Sequence, residues 1–139
     1  MSEPPRASSW AAPPEFYLDE NSVSRSIRRF LVDLEYTVHT PGELFGSKEE
    51  AYGAPDTEWL KLVAGTGWAI IGRDAKIAER PHELAAYRMA RVHMFLLPGE
   101  ATRQALIDLL TIRLKDICTT WAASRTGIWK VRPSGLHPL

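Results

Sequence analysis

With 139 residues, 45% of them hydrophobic and 24% charged, the chain has the makeup of one ordinary compact domain. Seventeen basic residues balance seventeen acidic ones, which excludes a strongly basic nucleic-acid coat but leaves room for a local basic patch. The single cysteine, Cys118, excludes an intrachain disulfide and a cysteine zinc cluster and fits a reducing cytoplasm, and no apolar run approaches the roughly 20 residues that span a membrane.

The first 14 residues, MSEPPRASSWAAPP, have no signal-peptide core, and their Pro, Ser and Ala content predicts a mobile leader. A domain over 15–133 follows, with 134–139 as a tail. Phe16-Tyr17-Leu18 is a short apolar run bounded by turn-formers, the pattern of a strand buried on both faces. Asn21 or Ser22 can cap the helix after it, whose apolar stripe is Val23, Ile27, Phe30, Leu31 and Leu34. Arg25, Arg28 and Arg29 lie off that stripe. Tyr36 to His39 reads as a second strand, ended by Pro41-Gly42. The connection from Glu43 to Pro55 is long enough to suggest a functional or mobile loop.

Asp56 can cap a second helix from Thr57 to about Ala64, closed by Gly65 and Gly67. Trp68 to Gly72 is the clearest buried strand and stops at Arg73-Asp74. Pro81 suits the first turn of a third helix. Val92 to Leu97 is a fourth strand, closed by Pro98-Gly99. Thr102 can cap a fourth helix reaching about Ala123, with Leu106, Leu109, Leu110, Ile117 and Trp121 as its apolar face. Gly127 breaks the chain, and Ile128 to Val131 is expected to form the last strand.

Strands alternating with helices imply an α/β domain, a central, mostly parallel five-stranded sheet between helical layers, with strand order 2-1-3-4-5. In that order Asp19-Glu20 and Arg73-Asp74 end neighbouring strands at the carboxyl edge, where open α/β sheets bind ligands. Asp56, which starts a helix, can share that edge. Clustered carboxylates repel one another, and a hard cation such as Mg²⁺ or Mn²⁺ relieves the repulsion. Each residue also has a plainer reading. Asp56 can be a helix cap, Asp19 and Glu20 can favour a helix N-terminus, and Asp74 can be a turn residue.

Three stretches carry a resemblance: FYLDENSVSRSIRRFLVDLEYTVHT, DTEWLKLVAGTGWAIIGRDAKI and RPHELAAYRMARVHMFLLP. Together, over roughly residues 15 to 98, they resemble the PIN-like domains, in particular the VapC45-type and DUF5615-like group. The resemblance implies a three-layer α/β/α nuclease that cuts RNA with Mg²⁺ or Mn²⁺, often as the toxin restrained by an antitoxin. It implies Asp19, Asp56 and Asp74 as metal carboxylates, with Glu20 and Asn21 supporting the site. Arg73, Lys76 and Arg80 would approach phosphate. A further acidic residue is common in the family, and Glu79, Glu83 and Glu100 are the candidates here. Gly72 departs from the Ser or Thr often found before Arg-Asp, and the chain beyond Thr102 is weakly matched. Relatives often dimerise, so a homodimer is an expectation too.

His39, His82, His93 and His137 share no ligand spacing and read as structural or surface residues. Trp59, Trp68 and Trp121 fall on apolar faces, whereas Trp10 and Trp129 can be exposed and mark a partner surface. From Arg103 on, Arg103, Arg113, Lys115, Arg125, Lys130 and Arg132 outnumber Asp108 and Asp116, a modest basic region. Two other functions fit parts of the pattern. A non-catalytic PIN-like binding module would keep the fold without turnover. A receiver-like phosphoacceptor domain would need Ser or Thr ending strand four and Lys ending strand five, where this chain has Leu97-Pro98 and Lys130-Val131.

Overall fold

The structure is a computed structural model and describes residues 3–18, 24–42, 58–73, 79–123 and 126–139. The elements are β1 (Phe16–Leu18), α1 (Ser24–Asp33), β2 (Val38–His39), α2 (Glu58–Val63), β3 (Ala69–Arg73), α3 (Pro81–Ala90), β4 (His93–Leu97), α4 (Arg103–Ala122), β5 (Gly127–Arg132) and β6 (Gly135–Pro138). Among the described residues they build one six-stranded sheet of order β2-β1-β3-β4-β5-β6. The first five strands are parallel, as the alternation requires, and β6 turns back antiparallel beside β5. The caps expected at Asn21, Ser22 and Asp56, and the connection from Glu43 to Pro55, lie outside the described residues.

Period-two alternation divides each strand between two cores. Phe16, Leu18, Ala69, Ile71, Phe95, Leu97 and Val131 face one side, where α1 lays down Ile27 and Leu31 and α4 lays down Leu106, Leu110, Leu114 and Ile117. Tyr17, Ile70, Met94, Leu96 and Ile128 face the other, under Leu60 and Val63 of α2 and Leu84 and Tyr87 of α3. This is the three-layer α/β/α arrangement, and both faces of the inner strands are buried because helices cover both. Pro81 opens α3, and the Thr102 side chain accepts a hydrogen bond from the Ala105 amide at 3.1 Å to cap α4.

Three expectations change. The second strand begins at Val38, because Tyr36 still belongs to the end of α1. The Tyr36 amide donates to the Leu31 carbonyl and the Glu35 amide to that of Val32, with Glu35 left-handed at φ 73°. That is a Schellman closure, and it turns the Tyr36 ring inward against Phe16.

The expected tail at Gly135–Leu139 instead supplies β6. Pro138 is tolerated there because β6 is an edge strand, and Leu136 joins the core. Residues of the leader, in turn, are tied down. Ala7 is buried in a short 3-10 turn, and its amide donates to the Leu34 carbonyl. The Tyr36 hydroxyl donates to the Pro5 carbonyl at 2.9 Å and accepts from Trp10 Nε1 at 3.0 Å. Trp10 therefore packs against the core rather than standing in solvent, and Trp129 stacks on Phe95.

Tyr36→Phe keeps the ring packing but leaves Trp10 Nε1 without its acceptor. It is expected to cost about 1–3 kcal/mol and to expose residues 3–14 to protease. Urea unfolding and limited proteolysis of the variant read both effects.

The same hydroxyl lies 3.6 Å from Cys118 Sγ. Burial pushes the Cys118 thiol from 9.0 up to about 11, and burial with the Cys118 contact raises the Tyr36 phenol as well. The fold thus favours the neutral thiol. Its contribution is fully present below about pH 9 and is lost as pH rises through about 11. A rise from 9.0 to about 11 corresponds to about 2–3 kcal/mol. Stability measured from pH 8 upward is expected to fall less steeply in Cys118→Ala than in the wild type.

Candidate active site

β1 and β3 are parallel neighbours, with Leu18 opposite Ile71. From the carboxyl end of β1 the chain passes to α1 on one face of the sheet. From the carboxyl end of β3 it passes to α3 on the other face. Helices on opposite faces after neighbouring strands mark this carboxyl edge as the switch point of an open α/β sheet, the place where such folds bind ligands. The run Phe16 to Leu18 and the start of β3, Ala69 to Ile71, are buried up to that edge. Gly72 faces Leu96, whose Cδ2 would lie 3.3 Å from an added Cβ, so the small residue here serves close packing of β3 on β4.

Asp19, Glu20, Asn21, Asp56, Asp74 and Lys76 lie outside the described residues. In the sequence Asp19 directly follows Leu18, the last residue of β1, and Asp74 directly follows Arg73, the last of β3. The described residues contain no group of three or more His, Cys, Asp or Glu able to hold a metal ion.

Arg73 is described, and its guanidinium is already engaged. Nη2 donates to the Gly99 carbonyl at 2.5 Å and to that of Ala101 at 3.0 Å, and Nε approaches the Pro98 carbonyl at 3.4 Å. The side chain thus clamps the β4–α4 turn onto the end of β3. This positioning contact accounts for the arginine without a phosphate. Its signal in the sequence was weak, since an Arg at a strand end reads equally well as a surface cation.

Arg80, just before α3, is exposed and lies 3.5 Å from Glu83. Glu83 also accepts from the Tyr87 hydroxyl at 2.5 Å. Of the three candidate further acids, Glu79 and Glu100 remain exposed, the first before α3 and the second after β4, both at the carboxyl edge.

Two of the histidines have structural partners. His39 Nε2 meets Glu15 Oε1 at 2.8 Å, on the amino side of β1, and its ring stacks on Trp68 at 3.8 Å between centroids. His137 pairs with Ser134 in the turn between β5 and β6. Both fit the structural reading. Lys130 sits inside β5 opposite Leu96, not at the strand end where a receiver places its lysine, and β4 closes on Leu97-Pro98. In the basic region, Arg113 pairs with Asp116 at 2.7 Å, and Arg132 donates to the Val131 carbonyl.

Sequence motifs left one group of charges unassigned. Arg25, Arg28 and Arg29 are exposed on α1, which starts at the same edge, and among the described residues they form no ion pair. Their i, i+3, i+4 spacing was the available signal.

Residues 14–99 match the family model described as a PIN like domain, which covers more than half of the chain. No curated protein and no solved structure matches it. Among the described residues no helix is long and apolar enough to cross a membrane.

Proposed function

Because the chain belongs to the PIN-like domain family, whose fold is of the nuclease type, we propose that it is an endoribonuclease dependent on Mg²⁺ or Mn²⁺. The observation that carries this reading is the switch point between the carboxyl ends of the parallel neighbours β1 and β3, where the sequence continues directly into Asp19-Glu20 and Asp74. A set of carboxylate oxygens is the donor chemistry that hard divalent cations prefer. Asp19, Asp56 and Asp74 would hold the ion, with Glu79 or Glu100 as a further acid. Bound there, it would activate water and neutralise charge on a phosphodiester. Glu20 and Asn21 would support the site, and Lys76 and Arg80 would approach the scissile strand. The exposed ion pair of Arg80 with Glu83 is weak enough to be exchanged for phosphate. Arg73 acts one layer behind, holding the β4–α4 turn.

In the cell this activity would make the chain the toxin of a VapBC-type pair, acting in the cytoplasm and restrained by an antitoxin. A buried Cys118 without a disulfide suits that reducing compartment.

The test is cleavage of structured and single-stranded RNA by the full chain with Mn²⁺, with Mg²⁺ and with EDTA. Cutting that depends on the metal supports the ribonuclease. RNA binding without cutting under any metal overturns it in favour of a binding module. For the toxin role, expression of the chain alone is expected to arrest growth, and expression of Asp19→Asn is not.

A further inference from the structure

We propose that the outer face of α1, carrying Arg25, Arg28 and Arg29, is the docking surface for the phosphate backbone of the RNA strand, an inference that rests on the ribonuclease reading. At 100° per residue, these three side chains and Val32 fall within an arc of roughly 100°, opposite the buried Ile27 and Leu31. All three arginines are exposed, and among the described residues none has an ion-pair partner. The one acidic residue of the helix, Asp33, follows Arg29 at i+4, the poorer orientation for a helical pair, and no ion pair forms between them.

Local energetics give no reason for this arrangement. Arg25 sits in the first turn, at the positive end of the helix dipole. Arg25 and Arg29 are like charges at i and i+4, a spacing that destabilises a helix. In a chain whose net charge is zero, the concentration of three unpaired guanidinium groups on ten residues is a local segregation of charge. An external polyanion would relieve both costs.

Position and composition together select the polyanion. α1 begins at the carboxyl edge, and Arg25 follows Asp19 by six residues in the chain. Arg25 is thus the arginine nearest the edge proposed for cleavage, with Arg28 and Arg29 one turn further along the helix. Arg103, exposed in the first turn of α4, starts at the same edge on the same side of the sheet and is likewise without an ion pair among the described residues. A protein partner would be expected to need an apolar centre in its interface. On this face of α1 only Val32 supplies one, 48% exposed. Guanidinium groups grip phosphate oxygens bidentately and without regard to base, which suits a surface that positions a strand.

The test uses the full chain carrying Asp19→Asn, so that bound RNA is not cut, and a fluorescein-labelled single-stranded RNA of about 20 nucleotides, with affinity followed against salt. Arg25→Gln, Arg28→Gln and Arg29→Gln combined should reduce the salt slope by about 2 and weaken binding by about 10-fold or more near 100 mM salt. Glutamine keeps helix propensity. Lys61→Gln with Arg91→Asn, on the opposite layer, should leave the slope unchanged. If the triple variant folds poorly, Arg25→Gln and Arg29→Gln singly are each expected to lower the slope by about 0.7.

An unchanged slope in a folded triple variant, while wild type still cuts RNA, overturns the docking surface and leaves the ribonuclease standing. A wild type that neither binds nor cuts RNA overturns both. Salt-sensitive capture of a polyglutamate peptide by this face, with no change in RNA binding on its loss, assigns it to an acidic protein and overturns the proposal.

Discussion

Asp19→Asn and Asp74→Asn are each expected to reduce metal-dependent RNA cleavage by at least about 100-fold, since even groups that only orient metal ligands are worth 10- to 100-fold. Both substitutions keep size and hydrogen-bonding capacity and remove one negative charge. In a crowded set of carboxylates that removal relieves repulsion, so the metal-free variants should unfold at equal or slightly higher denaturant than wild type. Activity lost together with folding would assign these residues a structural role instead. Asp56→Asn refines the test. Asn caps a helix as well as Asp does, so a cap alone would leave activity intact, whereas a metal carboxylate would not.

Arg73→Ala is expected to lower stability by about 2–4 kcal/mol. Its guanidinium donates to carbonyls of the β4–α4 turn, and hydrogen bonds from a charged donor are each worth about 1.5–3 kcal/mol. Arg73→Lys keeps the charge and loses the fork that reaches Gly99 and Ala101 together, so it should recover only part of the loss. Urea unfolding measures both. RNA affinity against salt supplies the second readout. A clamp leaves the salt slope as it is, while a phosphate ligand would lower the slope and spare stability. The second pattern would return Arg73 to the substrate-binding role suggested by the family resemblance.

These three residues illustrate unequal legibility. Asp19 stands out in the sequence because it directly follows the apolar run Phe16 to Leu18, and Asp74 because it comes one residue after the run Trp68 to Gly72; such runs are buried strands that stop near their first charged residues. Arg73 stands in the same kind of place, but its partners are backbone carbonyls some 25 residues on. A carbonyl has no sequence signature, so the clamp could not be read from residue types. Trp10 and Trp129 resist a local reading for a related reason. Each lies beside polar or turn-forming residues that suggest exposure, and each is held by one distant neighbour, Tyr36 in the first case and Phe95 in the second.

The sequence by itself determined the α/β class, the parallel order of the first five strands and the limits of most elements. Those depend on local signals, namely period-two and helical spacing of apolar residues, Pro81 and Thr102 at helix starts, and glycines at helix ends. Handedness and short connections then leave few ways to order the strands. Tertiary structure alone decided what becomes of the termini. The leader and Gly135–Pro138 carry Pro, Gly and Ser and look like ends without structure, yet one is pinned by Tyr36 and the other pairs with β5. Neither has enough apolar pattern to order itself. Each is ordered by the surface it meets, a Tyr36 hydroxyl that takes a carbonyl and an indole, and a strand edge with backbone groups to share.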